Sequence, residues 1–365
     1  MRQGLDDIQR IVVRGTNWVG DAVMTIPALR ALRQLFPEAH ITLATRPWAK
    51  GLFAEVDFLD DLLVHDASGL RSVVNQVMQW RIRRFDVAVL FPNSLESALV
   101  ASIARVPLRI GYATEGRQRL LTHPLDLPEW RNSKHEIFYY LNIVEQLQSF
   151  VKPNENENFD SQPSGRLEVS PARQADARAM LEARGVNMTR KKVGDSGRPV
   201  IALCPGSTNS RAKRWPTDRF ATLADRFIDE LGAEVLLIGS TGEIEVSRDV
   251  ISQMRNPCTM LTGETDLAEL VAVLSVVDLL ITNDTGPAHI GAALMRPTLV
   301  IFGPTNPLTT RPFSATSEIV REPPDCAPCM LRDCPIDHRC MTAISPDQVF
   351  KRAQLMLAEK LQAVV

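Results

Sequence analysis

Apolar residues along this chain occur in two patterns. Short continuous runs of three to five alternate with longer stretches in which apolar residues recur three or four apart. The first half contains the runs IVV (from Ile11), ITLAT, LLVH, VAVLF and LRIGY, and the second half VIALC, AEVLLIGS, LLIT and TLVIF. Runs this short and apolar on both faces predict strands of a parallel sheet covered by helices. The stretches between them, such as the one ending near Phe36 and DLAELVAVLSVVD, predict amphipathic helices. Strand and helix alternate through both halves, which makes the chain α/β with mostly parallel sheets. A final helix from Pro346 to about Gln362 carries Val349, Phe350, Ala353, Met356, Leu357 and Leu361 on one side.

Two polar stretches interrupt the alternation. KPNENENFDSQPSG, from Lys152 to Gly165, has no apolar period and reads as a linker, and TRKKVGDSGRP precedes the first strand of the second half. The expected organisation is a first domain over 1–165, a second over 166–345, and the terminal helix over 346–365. A length of 365 residues, 45% hydrophobic, supports about two domains. The net charge of −2 implies no general attraction to nucleic acid. The N-terminus lacks an apolar signal-like region and no run is long enough to span a bilayer, so a soluble, cytoplasmic protein is expected.

The segment Leu279–Pro312 reads as strand, turn, helix, strand and loop. Its first turn gathers Asn283, Asp284, Thr285, Gly286 and Pro287, and Asp284 or Thr285 would cap the helix that follows. Ligands of open parallel sheets sit beyond the carboxyl ends of the strands, and Asp284, Thr285 and His289 all fall there. The strand VIALC ends in Gly206, Ser207 and Thr208, which can donate hydrogen bonds to phosphate oxygens, with Lys213 or Arg214 supplying charge. AEVLLIGS ends in Thr241-Gly242-Glu243, where either Glu243 or Glu245 could accept from a ribose diol.

In the first half, Gly15 and Gly20 are spaced as in a P-loop. However, Asp21 and Ala22 occupy the positions that motif gives to Lys and Ser/Thr, and no G-x-G-x-x-G follows any strand. Neither a P-loop nucleoside triphosphatase nor a dinucleotide-dependent dehydrogenase fits. Asp21 opens a helix, as an N-cap or as a working carboxylate. Between Asp66 and His135 there are ten Arg or Lys against six Asp or Glu, with Arg81, Arg83 and Arg84 in one cluster and Arg117 and Arg119 in another. These are either solvated helix faces or a surface for an anionic partner. Cys326, Cys329, Cys334 and Cys340, with His338 nearby, could bind a structural zinc or remain reduced thiols.

Together these motifs resemble glycosyltransferase family 9, the lipopolysaccharide heptosyltransferases. The resemblance rests on D-T-G-P-x-H-x-x-A-A at Asp284 and F-G-P-T-x-P at Phe302. It also rests on P-G-[AS] at Pro205 with K-x-W-P at Lys213, and on G-D-x-x-x-x-x-P-A-L-R-x-L at Gly20. It implies a GT-B fold of two Rossmann-like lobes facing across a cleft, with the terminal helix packing back on the first. It further implies transfer of L-glycero-D-manno-heptose from ADP-heptose to the inner core of lipopolysaccharide, as the second heptose, by inverting direct displacement. Alternatives are a different core acceptor or a catalytically silent nucleotide-sugar-binding protein. By resemblance, Asp21 is the catalytic base, while Ser207, Thr208, Lys213, Glu243, Asp284, Thr285, Gly286 and His289 bind the nucleotide sugar. The implied partners are ADP-heptose and a lipid A-core glycolipid at the cytoplasmic face of the inner membrane, with no nucleic acid. No D-x-D occurs, so no metal cofactor is required, and Lys213 with helix N-termini would neutralise the diphosphate.

Overall fold

A computed structural model describes residues 8–65, 69–153, 163–188 and 198–363, the side chains of 360–363 excepted. Most of the two polar stretches, and the side chain of Leu361, therefore lie outside the described residues. The chain divides into two compact units, Met1–Gly165 and Arg166–Val365.

In the first unit the strands are β1 Arg10–Arg14, β2 His40–Thr45, β3 Asp61–Val64, β4 Val87–Leu90, β5 Leu108–Tyr112 and β6 His123–Leu125. They pair in parallel in the order β3-β2-β1-β4-β5-β6. The second unit contains β7 Val200–Cys204, β8 Glu234–Leu237, β9 Thr259–Met260, β10 Leu279–Asn283, β11 Thr298–Ile301 and β12 Ser317–Val320. These are also parallel, in the order β12-β11-β10-β7-β8-β9. Read from the other edge, this is the same winding as the first unit. In each sheet the strand order reverses once, between β1 and β4 and between β7 and β10, and a doubly wound sheet opens its ligand crevice at that reversal.

The central strands are those whose apolar runs stand out in the sequence. β6, β9 and β12 do not stand out: they have two to four residues, sit toward the sheet edges and are only partly buried. An edge strand has no need of a continuous apolar run, and β6 even accommodates Pro124.

Helices bury regular faces on these sheets. In Thr217–Leu231, Phe220, Leu223, Ala224 and Phe227 recur at helical spacing and are fully buried, and Gly232 closes the helix in the left-handed conformation that glycine adopts without strain. Phe227 packs on Phe350 of the final helix, Pro346–Ala363, with ring centroids 5.2 Å apart. Val349, Phe350, Ala353 and Met356 join the core of the second unit. The apolar side that the resemblance assigns to the first domain is thus accommodated on the second, because the groove between the helix Thr217–Leu231 and the sheet already fits it.

Candidate active site

At the β7/β10 reversal the two strands are in register, with Thr282 opposite Cys204, so the loops that follow leave the sheet side by side. Asn283 ties them together. Its Nδ2 donates to the carbonyls of Pro205 (2.8 Å) and Gly206 (3.2 Å), while its Oδ1 accepts from the Trp215 amide (3.1 Å). The sequence marks Asn283 only as a turn residue. Its structural role is to hold the Gly206–Ser207 loop at a fixed height over the sheet.

Lys213 and Asp284 pair across this knot. The ammonium lies 2.8 Å from Asp284 Oδ2 and donates to the Asp284 carbonyl at 3.2 Å. Thr305, in the loop after β11, donates to the same carboxylate at 2.6 Å. Asp284 is therefore buried, with its Oδ2 shared by Lys213 and Thr305, and does not cap the helix Gly286–Ala293. Thr285 occupies the N-cap position, but its hydroxyl is turned to Thr282 (3.2 Å) and the Asn283 carbonyl (3.3 Å), and no side chain caps the helix. Arg214, the rival source of charge, binds the Ser207 carbonyl at 3.0 and 3.2 Å. His289 is buried in the first turns of the same helix.

Glu243 and Glu245 separate clearly. Glu243 is buried and accepts from the Ser240 amide (2.8 Å) and hydroxyl (2.7 Å), and Ser240 in turn sits 3.5 Å from the Thr208 hydroxyl. A Cβ on Gly206 would lie 2.3 Å from Glu243 Oε1, so any side chain there would displace this carboxylate. Glu245 is exposed and paired with Arg248 at 2.6 Å. Burial first, and the Glu243 charge next, push the Cys204 thiol up to about 12, so it is neutral at the floor of the site.

The Lys213 loop is held on two sides. Trp215, buried, donates from Nε1 to the Ile344 carbonyl at 3.0 Å. On the other side the cysteine-bearing segment docks: the Ala212 amide donates to the Arg332 carbonyl (2.9 Å), His338 Nε2 meets the Ala212 carbonyl (2.6 Å), and Arg211 pairs with Asp333 (2.6 Å). Its thiols form no metal cage: among the described residues no three His, Cys, Asp or Glu side chains are arranged to hold a metal ion. All four cysteines are free, from exposed Cys326 to buried Cys340, whose thiol burial and the neighbouring Cys329, Cys334 and Cys326 push up to about 11. The zinc reading of the sequence thus finds no arranged ligand set, and what the segment does visibly is grip the Lys213 loop.

In the first unit Asp21 is the third residue of the helix Val19–Met24, whose N-cap is Trp18 with no side-chain cap bond. The capping reading of Asp21 does not hold. Asp21 is half-buried, and its charge, after burial itself, contributes to raising the Tyr140 hydroxyl well above its ordinary range. Tyr140 belongs to the helix Glu136–Val151 and meets Phe91, just past β4, edge-on at 5.3 Å. Ahead of the helix that carries Asp21, Arg14 ends β1. It is buried, donates to His65 and lies 3.9 Å from Glu96, and desolvation first lowers its pKa to about 10.

The basic clusters do not form a charged surface at this edge. Arg117 is completely buried and binds the carbonyls of Tyr112, Pro92 and Ser94, bracing the loop after β4. Arg83 pairs with Asp61, the first residue of β3, and its carbonyl accepts from Arg10, the first residue of β1. The Arg81–Arg84 cluster therefore lies at the amino edge of the sheet, opposite Asp21.

The comparisons agree with these motifs. Lipopolysaccharide heptosyltransferase 2 of Escherichia coli K12 is 29% identical over 86% of this chain and 88% of its own. Lipooligosaccharide heptosyltransferase 2 of Haemophilus influenzae Rd is 30% identical over 85% and 88%. The solved structure of E. coli ADP-heptose LPS heptosyltransferase II superposes with a TM-score of 0.79 at 26% identity, covering 96% of this chain and 99% of that one. The two-sheet α/β architecture is that of such GT-B heptosyltransferases. The family model described as glycosyltransferase family 9 (heptosyltransferase) matches residues 77–339, and the chain belongs to that family of glycosyltransferases.

Proposed function

We propose that this enzyme transfers L-glycero-D-manno-heptose from ADP-heptose to the inner core of lipopolysaccharide, adding the second heptose. The observation that supports this reading is the likeness, along most of the chain, to proteins named heptosyltransferase 2. The second unit takes the donor. Glu243, beneath Gly206, receives the ribose diol. The diphosphate lies against the Ser207–Thr208 loop, Lys213 and the uncapped N-terminus of Gly286–Ala293, with His289 behind it. Asp284 orients Lys213.

Transfer is a single inverting displacement. The acceptor hydroxyl oxygen bonds to the anomeric carbon as the bond to the β-phosphate oxygen breaks, its proton passes to the Asp21 carboxylate, and ADP leaves with the bonding pair. Lys213 and the helix N-terminus meet the charge that develops on ADP, and the reading requires no metal in that role. The acceptor is a lipid A-core glycolipid, so the enzyme works at the cytoplasmic face of the inner membrane. No helix among the described residues is long and apolar enough to cross it.

The test is turnover of ADP-heptose with acceptors carrying no heptose, one heptose or two. Transfer to the one-heptose acceptor is expected. Preference for either of the others moves the protein to another core position, and no transfer to any makes it a silent nucleotide-sugar binder.

A further inference from the structure

The helix Leu70–Arg83 covers the first sheet with one side and leaves the other uncovered. Gln76, Val77 and Trp80 face the core. Leu70, Val74, Met78 and Ile82, each four residues after the last, are 80, 49, 56 and 71% exposed. At about 100° per residue these four positions occupy roughly 120° of the helix circumference and run about 18 Å along its axis. Arg71 and Arg81 project within that same arc, Arg84 follows at the C-cap, and the helix contains no acidic residue. Among the described residues no ion pair engages Arg71, Arg81 or Arg84. The adjacent helix Leu95–Ile103 adds Leu95 and Ile103, 48 and 46% exposed.

Single exposed apolar residues are ordinary. A periodic row of four is different, because nothing in the fold needs these side chains and polar ones would serve the helix as well. On Leu70–Arg83, large apolar side chains interleaved with arginines and without a carboxylate complement an anionic bilayer surface. The apolar groups enter the acyl boundary while the guanidinium groups stay with the phosphates. A second copy of this face would set Arg71, Arg81 and Arg84 against like charges, which works against self-association.

We infer that the outer face of Leu70–Arg83 docks the protein on an anionic phospholipid bilayer. The helix follows β3 and precedes β4, so Leu70 lies toward the carboxyl edge of the sheet, the edge that also carries Asp21, while the basic cluster lies at the far end. The docked helix lies flat. The inference rests on the proposed function only for the benefit to the acceptor, since lipid binding itself is independent of transfer.

The test is co-sedimentation with phosphatidylcholine vesicles made with and without phosphatidylglycerol. It uses the full chain, Val74→Glu/Met78→Glu, and Arg71→Glu/Arg81→Glu. Binding of the native chain to the phosphatidylglycerol vesicles and weak binding to phosphatidylcholine alone are expected, with each variant binding the former roughly tenfold or more weakly. All four changes are on exposed positions, so melting temperatures should stay together. With ADP-heptose, turnover of a deacylated soluble acceptor should be unchanged while turnover of the same core embedded in the vesicles falls. Vesicle binding lost in the variants supports docking even if neither acceptor is used, an outcome that sinks the transferase reading alone. No binding by the native chain, or equal binding by both variants, overturns the inference. So does a concentration-dependent dimer in vesicle-free solution that Val74→Glu/Met78→Glu abolishes.

Discussion

Lys213 and Asp284 are 71 positions apart in sequence, yet the Lys213 ammonium lies 2.8 Å from a carboxylate oxygen that is itself held by Thr305. A buried carboxylate in such a position fixes where a mobile cation points, and a fixed cation stabilises a developing charge without reorganising during the reaction. Lys213→Ala should lower turnover by roughly two to three orders of magnitude, the scale for losing one electrostatic stabiliser. If Asp284 works by aiming Lys213, Asp284→Asn will cost turnover in the native background but almost nothing once Lys213 is Ala. Additive losses in the double variant would mean that Asp284 acts on the donor directly.

Gly206 and Glu243 occupy nearly the same space, which separates two carboxylates that the sequence leaves equivalent. Glu243→Gln should raise the KM for ADP-heptose while Glu245→Gln, on a solvated helix face, leaves it unchanged. Gly206→Ala should destabilise by about 1–3 kcal/mol, the range for overpacking, and should raise the same KM because Glu243 must move. In Gly206→Ala/Glu243→Ala the clash partner is gone, so that pair should be more stable than the sum of the two single changes. Thermal melts of all three decide it, and simple additivity would place the clash elsewhere.

The sequence shows the framework of this site more readily than its wiring. Continuous apolar runs reveal β1, β7, β10 and β11 because strands buried on both faces must be apolar throughout. The polar residues at their ends then stand out as having no packing task. What the sequence leaves hidden are relations between distant residues. Asn283 looks like one more turn residue until its amide is seen binding Pro205, Gly206 and Trp215. Arg117 looks like part of a basic surface because a buried and an exposed arginine are spelled alike, and only its five carbonyl and side-chain acceptors distinguish them. The row Leu70, Val74, Met78, Ile82 is hidden for the opposite reason: apolar spacing of four normally marks a buried face, and here the buried face is beside it.

Against Arg14 at the end of β1, His65 is held at a pKa of about 3, far below its ordinary value near 6.5, by burial first and by the Arg14 and Arg46 cations next. It stays neutral and accepts from Arg14. Between pH 6.5 and 3 the unfolded chain binds a proton at this position that the folded chain refuses. His65 therefore contributes no pH-dependent penalty above 6.5, and stability falls as the pH drops through that window. The steepest slope one such site can give is about 1.4 kcal/mol per pH unit. His65→Gln keeps an acceptor for Arg14 and cannot take up the proton, so denaturant melts from pH 7 to pH 4 should show a shallower decline in the variant. Parallel declines would show that His65 titrates normally in the folded protein.

Asp21 is placed where a base and a cap predict different things. Trp18 occupies the N-cap and Asp21 lies inside the first turn, half-buried beside Tyr140, so the carboxylate is not needed to start the helix. A negative group in a first turn still interacts favourably with the helix dipole, a contribution of about 0.3–1 kcal/mol that Asp21→Asn would forfeit. Stability should therefore drop slightly in the Asn variant, and ADP-heptose affinity should remain, because the donor residues belong to the other unit. Turnover should fall by roughly 10²–10⁴-fold, since an amide occupies the same space but cannot accept the acceptor's proton. Asp21→Glu separates placement from chemistry: it keeps the base but shifts it outward by one methylene, so partial activity is expected. Wild-type turnover in Asp21→Asn would mean the proton leaves to another group, and the search would move to the loop after β4, where Asn93 and the Tyr139 hydroxyl lie 2.8 Å apart.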